Sequence, residues 1–374
     1  MLLEIIDKEI LCSRLSSHLA LKDKIKLRGL VFNSLRGLDV LEDLIKDDSI
    51  TEIMVNGYDT IFVEKNNHIE KLSLSFDSKE RLSNVIQQIV SYSNRRVNEA
   101  APIADTRLKD GSRVNIVLDP VAINGPIITI RKFSHTPLTI DRLIELNAIT
   151  KEAADFLRML VVSGYNIFVS GGTSSGKTTF LNVLSNFIPK EERVITIEDS
   201  AELSLQNVDN IVRLEMRQAN MEGKGAISIR DLIHSSLRMR PDRIIIGEVR
   251  GPEAIDMLQA MDTGHNGCMS TGHANSARDM LGRLTTMSLM AMDIPIGAIK
   301  SQIASGLDII IHLGRTKDRL RKVMEITEVV GYDGNDILLN PIFQFHLTNG
   351  LIPTQNKLVH TDKLVSHGFM IQEM

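Results

Sequence analysis

Gly171-Gly172-Thr173-Ser174-Ser175-Gly176-Lys177-Thr178 is the stretch whose residue types and spacing point most directly to chemistry. It fits Gly-x4-Gly-Lys-Ser/Thr, follows an apolar run from Tyr165 to Ser170, and opens a helical run at Thr178. That order of strand, loop and helix is what a phosphate-binding loop requires. Glycines let the backbone close around phosphate oxygens, so that successive amide hydrogens and the positive end of the next helix face the negative charge. Lys177 is placed to reach β- and γ-phosphates and the Thr178 hydroxyl to complete a Mg²⁺ shell, with Thr179 closing the ATP-binding set.

Hydrolysis needs acids as well, one to position Mg²⁺ through water and one to orient or deprotonate the attacking water. Glu198, ending Val194-Ile195-Thr196-Ile197, and Glu248, ending Arg243-Ile244-Ile245-Ile246-Gly247, both fall where ligands bind in open parallel sheets. Next comes Thr263 to Ser276, dense in glycine and hydroxyls, with His265 and His273. Without a thiolate or acid to complete a tetrahedral set, these histidines are a weak zinc signal. A nucleotide-sensing loop fits better, since imidazole can hydrogen-bond a γ-phosphate or a neighbouring carboxylate. Arg113 and Arg131 sit on strands outside the loop-bearing region, either as surface ion pairs or as arginine fingers.

These residues need a scaffold, and 374 residues suit two domains. Hydrophobic residues make up 43% and charged residues 24%, the balance of a globular chain with a real core. A net charge of -4, 4% aromatics and no tryptophan give little support for a nucleic-acid partner. The two cysteines, Cys12 and Cys268, build neither a disulfide framework nor a four-thiolate zinc site, so a cytoplasmic setting is expected. The start mixes acids into its apolar residues, unlike a signal peptide, and no window approaches the ~20 apolar residues of a spanning helix. Membrane contact is therefore expected to be peripheral.

Residues 1–48 read as short helices forming a small bundle, an N-terminal extension with leucines such as Leu11, Leu15, Leu19, Leu30, Leu41 and Leu44 at helical spacing. Residues 49–136 read as an α+β domain. Its strands are expected at Thr51–Val55, Thr60–Glu64, Leu72–Phe76, Ser112–Leu118 and Ile127–Phe133, its helix at Ser78–Ser91, and its turns at Asn56-Gly57 and Asn66-Asn67. A linker is expected over Ser134 to Thr139, with the hinge near Pro137. Residues 137–374 read as an α/β domain, with nearly continuous apolar strands at Asn166–Ser170, Val194–Glu198, Ile211–Glu215 and Arg243–Glu248 alternating with helical patterns. Met280, Met287, Met290 and Met292 read as core or subunit-contact filler.

With those residues in place, the chain resembles the type II/IV secretion ATPase superfamily, most closely its CpaF branch, which drives Flp/Tad pilus assembly and related secretion. The resemblance rests on Ser49 to Gly57, Asp110 to Asn115, Thr129 to Phe133, the phosphate loop, Ile195 to Asp199, Leu237 to Arg250, and His265 to Asn275. Two departures stand out: Ser174-Ser175 replaces the commoner Gly-Ser, and the tetracysteine element of the type II branch is missing. The resemblance implies a RecA-like P-loop ATPase domain joined to a smaller PAS-like amino-terminal domain, assembled as a homohexamer. It implies ATP and Mg²⁺ as cofactors and an inner-membrane platform protein as partner. Residues matching Arg113 and Arg131 reach the terminal phosphate in that family. Glu198 and Glu248 match acids serving Mg²⁺ and water, with the base between them left open, and His265 and His273 match its nucleotide-responsive box. The expected activity is that of a motor ATPase. The alternatives are a conjugation-type type IV secretion ATPase and a RecA-like DNA motor. No Asn-Lys-x-Asp base-reading motif supports a GTPase, since Asn356-Lys357 is followed by Leu358-Val359.

Overall fold

The computed structural model describes residues 2–13, 19–65, 68–91, 97–133, 138–220 and 223–370, with the backbone alone at residues 2 and 34–36. The chain divides into two compact units, Met1–Thr136 and Pro137–Met374. The turn expected at Asn66-Asn67, the hinge near Pro137, and most of the linker lie outside the described residues.

In the first unit, α1 (Leu2–Cys12) and α2 (Leu21–Arg36) lie along each other, joined by Arg28 and Asp7 at 3.4 Å. Leu11 and Leu30 of this pair are exposed. Helix α3 (Leu41–Lys46) instead sends Leu41 and Leu44 into the core of the sheet that follows. That sheet contains β1 (Ile50–Asn56), β2 (Ile61–Lys65), β3 (His68–Lys71), β4 (Ile103–Arg107), β5 (Arg113–Val117) and β6 (Ile127–Arg131), in the order β3-β2-β1-β6-β5-β4. Each neighbouring pair is antiparallel. Ile53, Val55, Val114, Ile116, Ile128 and Ile130 alternate onto one buried face, covered by α4 (Lys79–Ser91) through Leu82, Ile86 and Ile89. The strand expected at Leu72–Phe76 forms earlier, at β3. Lys65 already faces His68 across the hairpin, so pairing is spent by Leu72, whose amide makes a last bond to Ile61. Phe76 is buried as an anchor beyond the strand.

The second unit opens with α5 (Ile140–Glu145) and α6 (Lys151–Val162), each started by a threonine cap, Thr139 and Thr150. It then alternates β7 (Ile167–Gly171), α7 (Lys177–Ser185), β8 (Arg193–Glu198), β9 (Asn210–Glu215), α8 (Ile229–Ser236), β10 (Arg243–Ile246), α9 (Glu253–Asp262), β11 (Met269–His273), α10 (Ala277–Leu289) and α11 (Ile296–Gly306). Strands β12 (Ile309–Arg315), β13 (Arg321–Tyr332), β14 (Ile337–His346) and β15 (Gly350–Pro353) follow, with a last short helix α12 (Asp362–Ser366). All belong to one nine-stranded sheet, ordered β15-β14-β13-β12-β7-β11-β10-β8-β9, parallel from β12 to β9 and antiparallel from β12 to β15. Both faces are covered: Ile167, Val169, Ile309 and Ile311 pack towards α6 and α7, while Phe168 and Ile310 pack towards α9, α10 and α11. That is why these strands read as unbroken apolar runs. Met280 and Met287 join this core, whereas Met290 and Met292 are exposed.

The segment after β15 is fastened by Glu328, which is 1% exposed. Its carboxylate accepts from the amides of Val359 and His360 at 2.9 and 2.8 Å and from the Asn340 amide at 2.9 Å. Removing it takes the acceptor from several part-buried donors, so Glu328→Ala is expected to cost about 2 kcal/mol and to lower the melting temperature by roughly 4–8 °C. Glu328→Gln, which keeps an acceptor, is expected to cost less; thermal denaturation followed by circular dichroism checks both.

Candidate functional site

Parallel pairing brings the carboxyl ends of β7, β8, β10 and β11 to one edge of the sheet, and the chemistry gathers there. Gly171 ends β7 directly opposite His273, which ends β11. A Cβ on Gly171 would lie 2.5 Å from Ser175 Oγ and 2.6 Å from the Leu313 carbonyl, so the loop can close only on a glycine. The loop turns through Ser174 at φ 56° and Gly176 at φ 93° before α7 begins at Lys177. Gly172, Thr173, Ser174 and Thr179 are exposed, Gly176 and Thr178 half-buried, and Ser175 buried.

Lys177 is only 7% exposed. Its ammonium donates to the Gly172 carbonyl at 3.1 Å and lies 3.3 Å from His273 Nδ1. On the other side of the ring, His273 Nε2 sits 2.9 Å from Glu248 Oε1 without hydrogen-bond alignment, and that oxygen has no hydrogen-bond partner among the described residues. Glu248 Oε2 accepts from Arg250 at 2.6 Å, and Arg250 also approaches Asp199 at 3.6 Å. Burial alone pushes Glu248 up. The Arg250 hydrogen bond and the charges of Arg250, His273 and Lys177 outweigh it and hold the carboxyl below its ordinary value. For His273, burial and then Lys177 depress the imidazole against the pull of Glu248. A neutral ring follows, with Nδ1 accepting from Lys177 and the proton on Nε2.

Glu198 occupies a different environment. It is 2% exposed, and its Oε2 accepts from the amides of Glu202 and Leu203 at 2.7 and 2.8 Å. Burial raises its pKa, with those amides opposing. The two acids that look equivalent in sequence are therefore separated: Glu248 faces the lysine and histidine, while Glu198 ties the loop that leaves β8.

His265 lies apart from this group. It lies in the loop before β11, whereas His273 ends that strand, so the five-residue strand separates the two. His265 Nδ1 lies 3.4 Å from Thr263 Oγ1, and its carbonyl accepts from Cys268 Sγ at 3.1 Å. Within the span expected to be a sensing loop, Met269–His273 forms the strand β11. Arg113 and Arg131 are directly opposed on β5 and β6, in a row that runs Arg107, Arg113, Arg131, Glu52, Glu64 on the face away from the first unit's core. Residues that sequence reasoning missed are Arg250, which sat unremarked inside a motif run, and Arg315 and Arg321, both of which bond the phosphate loop at Ser174.

A phosphate loop accounts for much of this site. Buried Ser175 Oγ, Glu198 Oε1 and Glu248 Oε1 are unpartnered among the described residues, and Thr178 follows Lys177 in the first turn of α7, a donor set suited to a phosphate-bound Mg²⁺. Among the described residues no group of three or more His, Cys, Asp or Glu is placed to hold a metal by itself.

Residues 34–335 match the family described as Type II/IV secretion system protein. A Mycobacterium tuberculosis protein named for conjugal transfer is 32% identical over 298 residues, 78% of this chain and 84% of its own length. The type IV secretion system protein PtlH of Bordetella pertussis is 31% identical over 315 residues, 77% of this chain and 93% of its own. Among solved structures, the pilus retraction motor PilT with bound ADP aligns with a TM-score of 0.57 at 17% identity, covering 90% of this chain and 87% of its own. The Legionella pneumophila ATPase DotB aligns with a TM-score of 0.51 at 19% identity, covering 77% and 78%. Those two likenesses establish the fold. A family match over that much of the sequence, joined by relatives above 30% identity across more than three quarters of it, places the chain in the type II/IV secretion system protein family.

Proposed function

We propose that this chain is a cytoplasmic motor ATPase of the CpaF type, working as a homohexamer peripheral to the inner membrane. It turns ATP hydrolysis into motion handed to an inner-membrane platform protein, for Flp/Tad pilus assembly or protein secretion. The observation that carries the catalytic part is the sequence Lys177, His273, Glu248, Arg250 against the phosphate loop, each within 3.3 Å of the next. A PAS-like reading of the first unit is supported by its antiparallel sheet with α4 on one face. Among the described residues no helix is long and apolar enough to cross a membrane.

In this reading, Gly171 to Thr179 cradle the triphosphate, Lys177 pairs with its terminal phosphates, and Glu248 orients the attacking water through Oε1. Thr178 would hold Mg²⁺ directly and Glu248 through water, and the ion would supply charge neutralisation on the phosphates. Glu198 sets the loop that follows β8. His273, bridging Lys177 and Glu248, registers whether the lysine is engaged by phosphate. Arg113 and Arg131 supply positive charge for the transferred phosphoryl group. A conjugation-type type IV secretion ATPase is the second reading, favoured by the names of the Mycobacterium and Bordetella relatives.

Lys177→Ala is expected to abolish ATP turnover, and Glu248→Gln to slow it about a hundredfold or more while ATP affinity changes only a few-fold. Glu198→Gln is expected to slow turnover less than Glu248→Gln does. Steady-state ATPase assays with circular dichroism decide this: unchanged turnover in Lys177→Ala removes the phosphate-loop reading, and equal losses in the two glutamates remove the assignment of Glu248.

For the arginines, Arg113→Ala and Arg131→Ala are each expected to lower kcat by roughly 10³, or about 4 kcal/mol in barrier, while sparing assembly. Turnover measured beside light scattering tests it. Full activity in both variants would make the first unit a docking module only.

A further inference from the structure

Ser174 holds φ 56°, the left-handed region that a side chain disfavours and glycine enters freely, and it does so on the exposed crest of the phosphate loop. Something must keep it there. Its carbonyl receives three N–H groups from two side chains: Arg315 Nε at 3.1 Å, Arg315 Nη2 at 2.9 Å and Arg321 Nε at 3.0 Å. Arg315 ends β12 and Arg321 begins β13, directly opposite each other in the hairpin ladder. Like charges facing one another across a ladder are ordinarily unfavourable, and a shared acceptor accounts for this pair. The Arg321 stem also runs along the loop, since a Cβ on Gly176 would lie 3.4 Å from its Cδ.

We propose that Arg315 and Arg321 are positioning residues for ATP binding, which hold the crest of the phosphate loop in its binding-competent conformation where a glycine would otherwise stand. A peptide unit is planar and trans, so fixing the Ser174 carbonyl also fixes the direction of the Ser175 N–H on its far side. That N–H donates to the Gly172 carbonyl at 3.3 Å, the same oxygen that receives the Lys177 ammonium at 3.1 Å. The two guanidiniums therefore set the crest peptide, the crest peptide sets the turn, and the turn shares its acceptor with Lys177. Planar guanidinium forks suit this task, because they offer fixed pairs of donors that a lysine lacks.

This inference rests on the reading of Gly171 to Thr178 as the ATP site. If removing the forks leaves the crest competent about a tenth of the time, apparent ATP affinity falls about tenfold, with chemistry little affected once ATP is bound. The experiment compares the full chain with Arg315→Ala/Arg321→Ala, measuring KM and kcat for ATP, fluorescent ATP-analogue binding and thermal melting. The double variant is expected to raise KM about tenfold with kcat within about twofold. Adding Ser174→Gly to it is expected to recover most of that loss, while Arg315→Lys/Arg321→Lys recovers little. An unchanged KM overturns the proposal. So does a raised KM that Ser174→Gly does not relieve, which would mean that the guanidiniums bind phosphate directly. Failure of the unmodified chain to bind the analogue, or indifference of that binding to Lys177→Ala, would instead overturn the ATP site itself.

Discussion

Gly171 stands opposite His273 in the parallel ladder of β7 and β11, and the rest of the site depends on that register. It puts the first glycine of the phosphate loop beside the imidazole that touches Lys177 and Glu248. The register is itself enforced by packing: a Cβ on Gly272 would lie 2.9 Å from the Phe168 ring, which fills the space between β7 and the helices α9 and α10. A slip of one residue would send Phe168 to the other face of a sheet that is filled on both sides. The core therefore specifies where the loop begins, and the loop inherits its precision from the core.

On that edge five groups follow one another, Asp199, Arg250, Glu248, His273 and Lys177, with a neutral imidazole between the last acid and the lysine. Each neighbour explains the state of the next. Arg250 keeps Glu248 ionised in spite of burial, and Lys177 together with burial keeps His273 neutral beside an ionised acid. The neutral ring accepts from the lysine through Nδ1 and keeps its other nitrogen 2.9 Å from the acid, short of an aligned hydrogen bond. Among the acceptors of Lys177 are a carbonyl and an imidazole nitrogen, both weaker acceptors for an ammonium group than a phosphate.

What could be read from sequence follows from the same physics. The loop at Gly171 to Thr178 and the strands before Glu198 and Glu248 were legible because a parallel strand covered on both faces must be apolar throughout. Strand β11 was not, because a central strand pressed against Phe168 and the loop edge takes Ser270, Thr271 and Gly272, which read as a turn. That misreading placed His265 and His273 in one loop, when a strand separates them. The antiparallel strands β12 to β15 were not assigned from sequence, and with them went Arg315 and Arg321, three of whose N–H groups bond the phosphate loop. The pairing of Arg113 with Arg131 was equally hidden, since register across a sheet is a long-range property.

Position at the end of a parallel strand does not by itself make an acid part of a site, and the difference between Glu198 and Glu248 shows what does. Glu198 is the last residue of β8, and its side chain lies alongside Gly247, where a Cβ would come within 3.0 Å of Glu198 Cγ. The missing side chain lets Glu198 lie flat beneath the edge and accept the two amides of the departing loop. Glu248 comes one residue after that glycine and two after β10 ends, so it extends beyond the ladder to His273 and Arg250. Gly247 thus makes room for one acid and gives the other its forward reach.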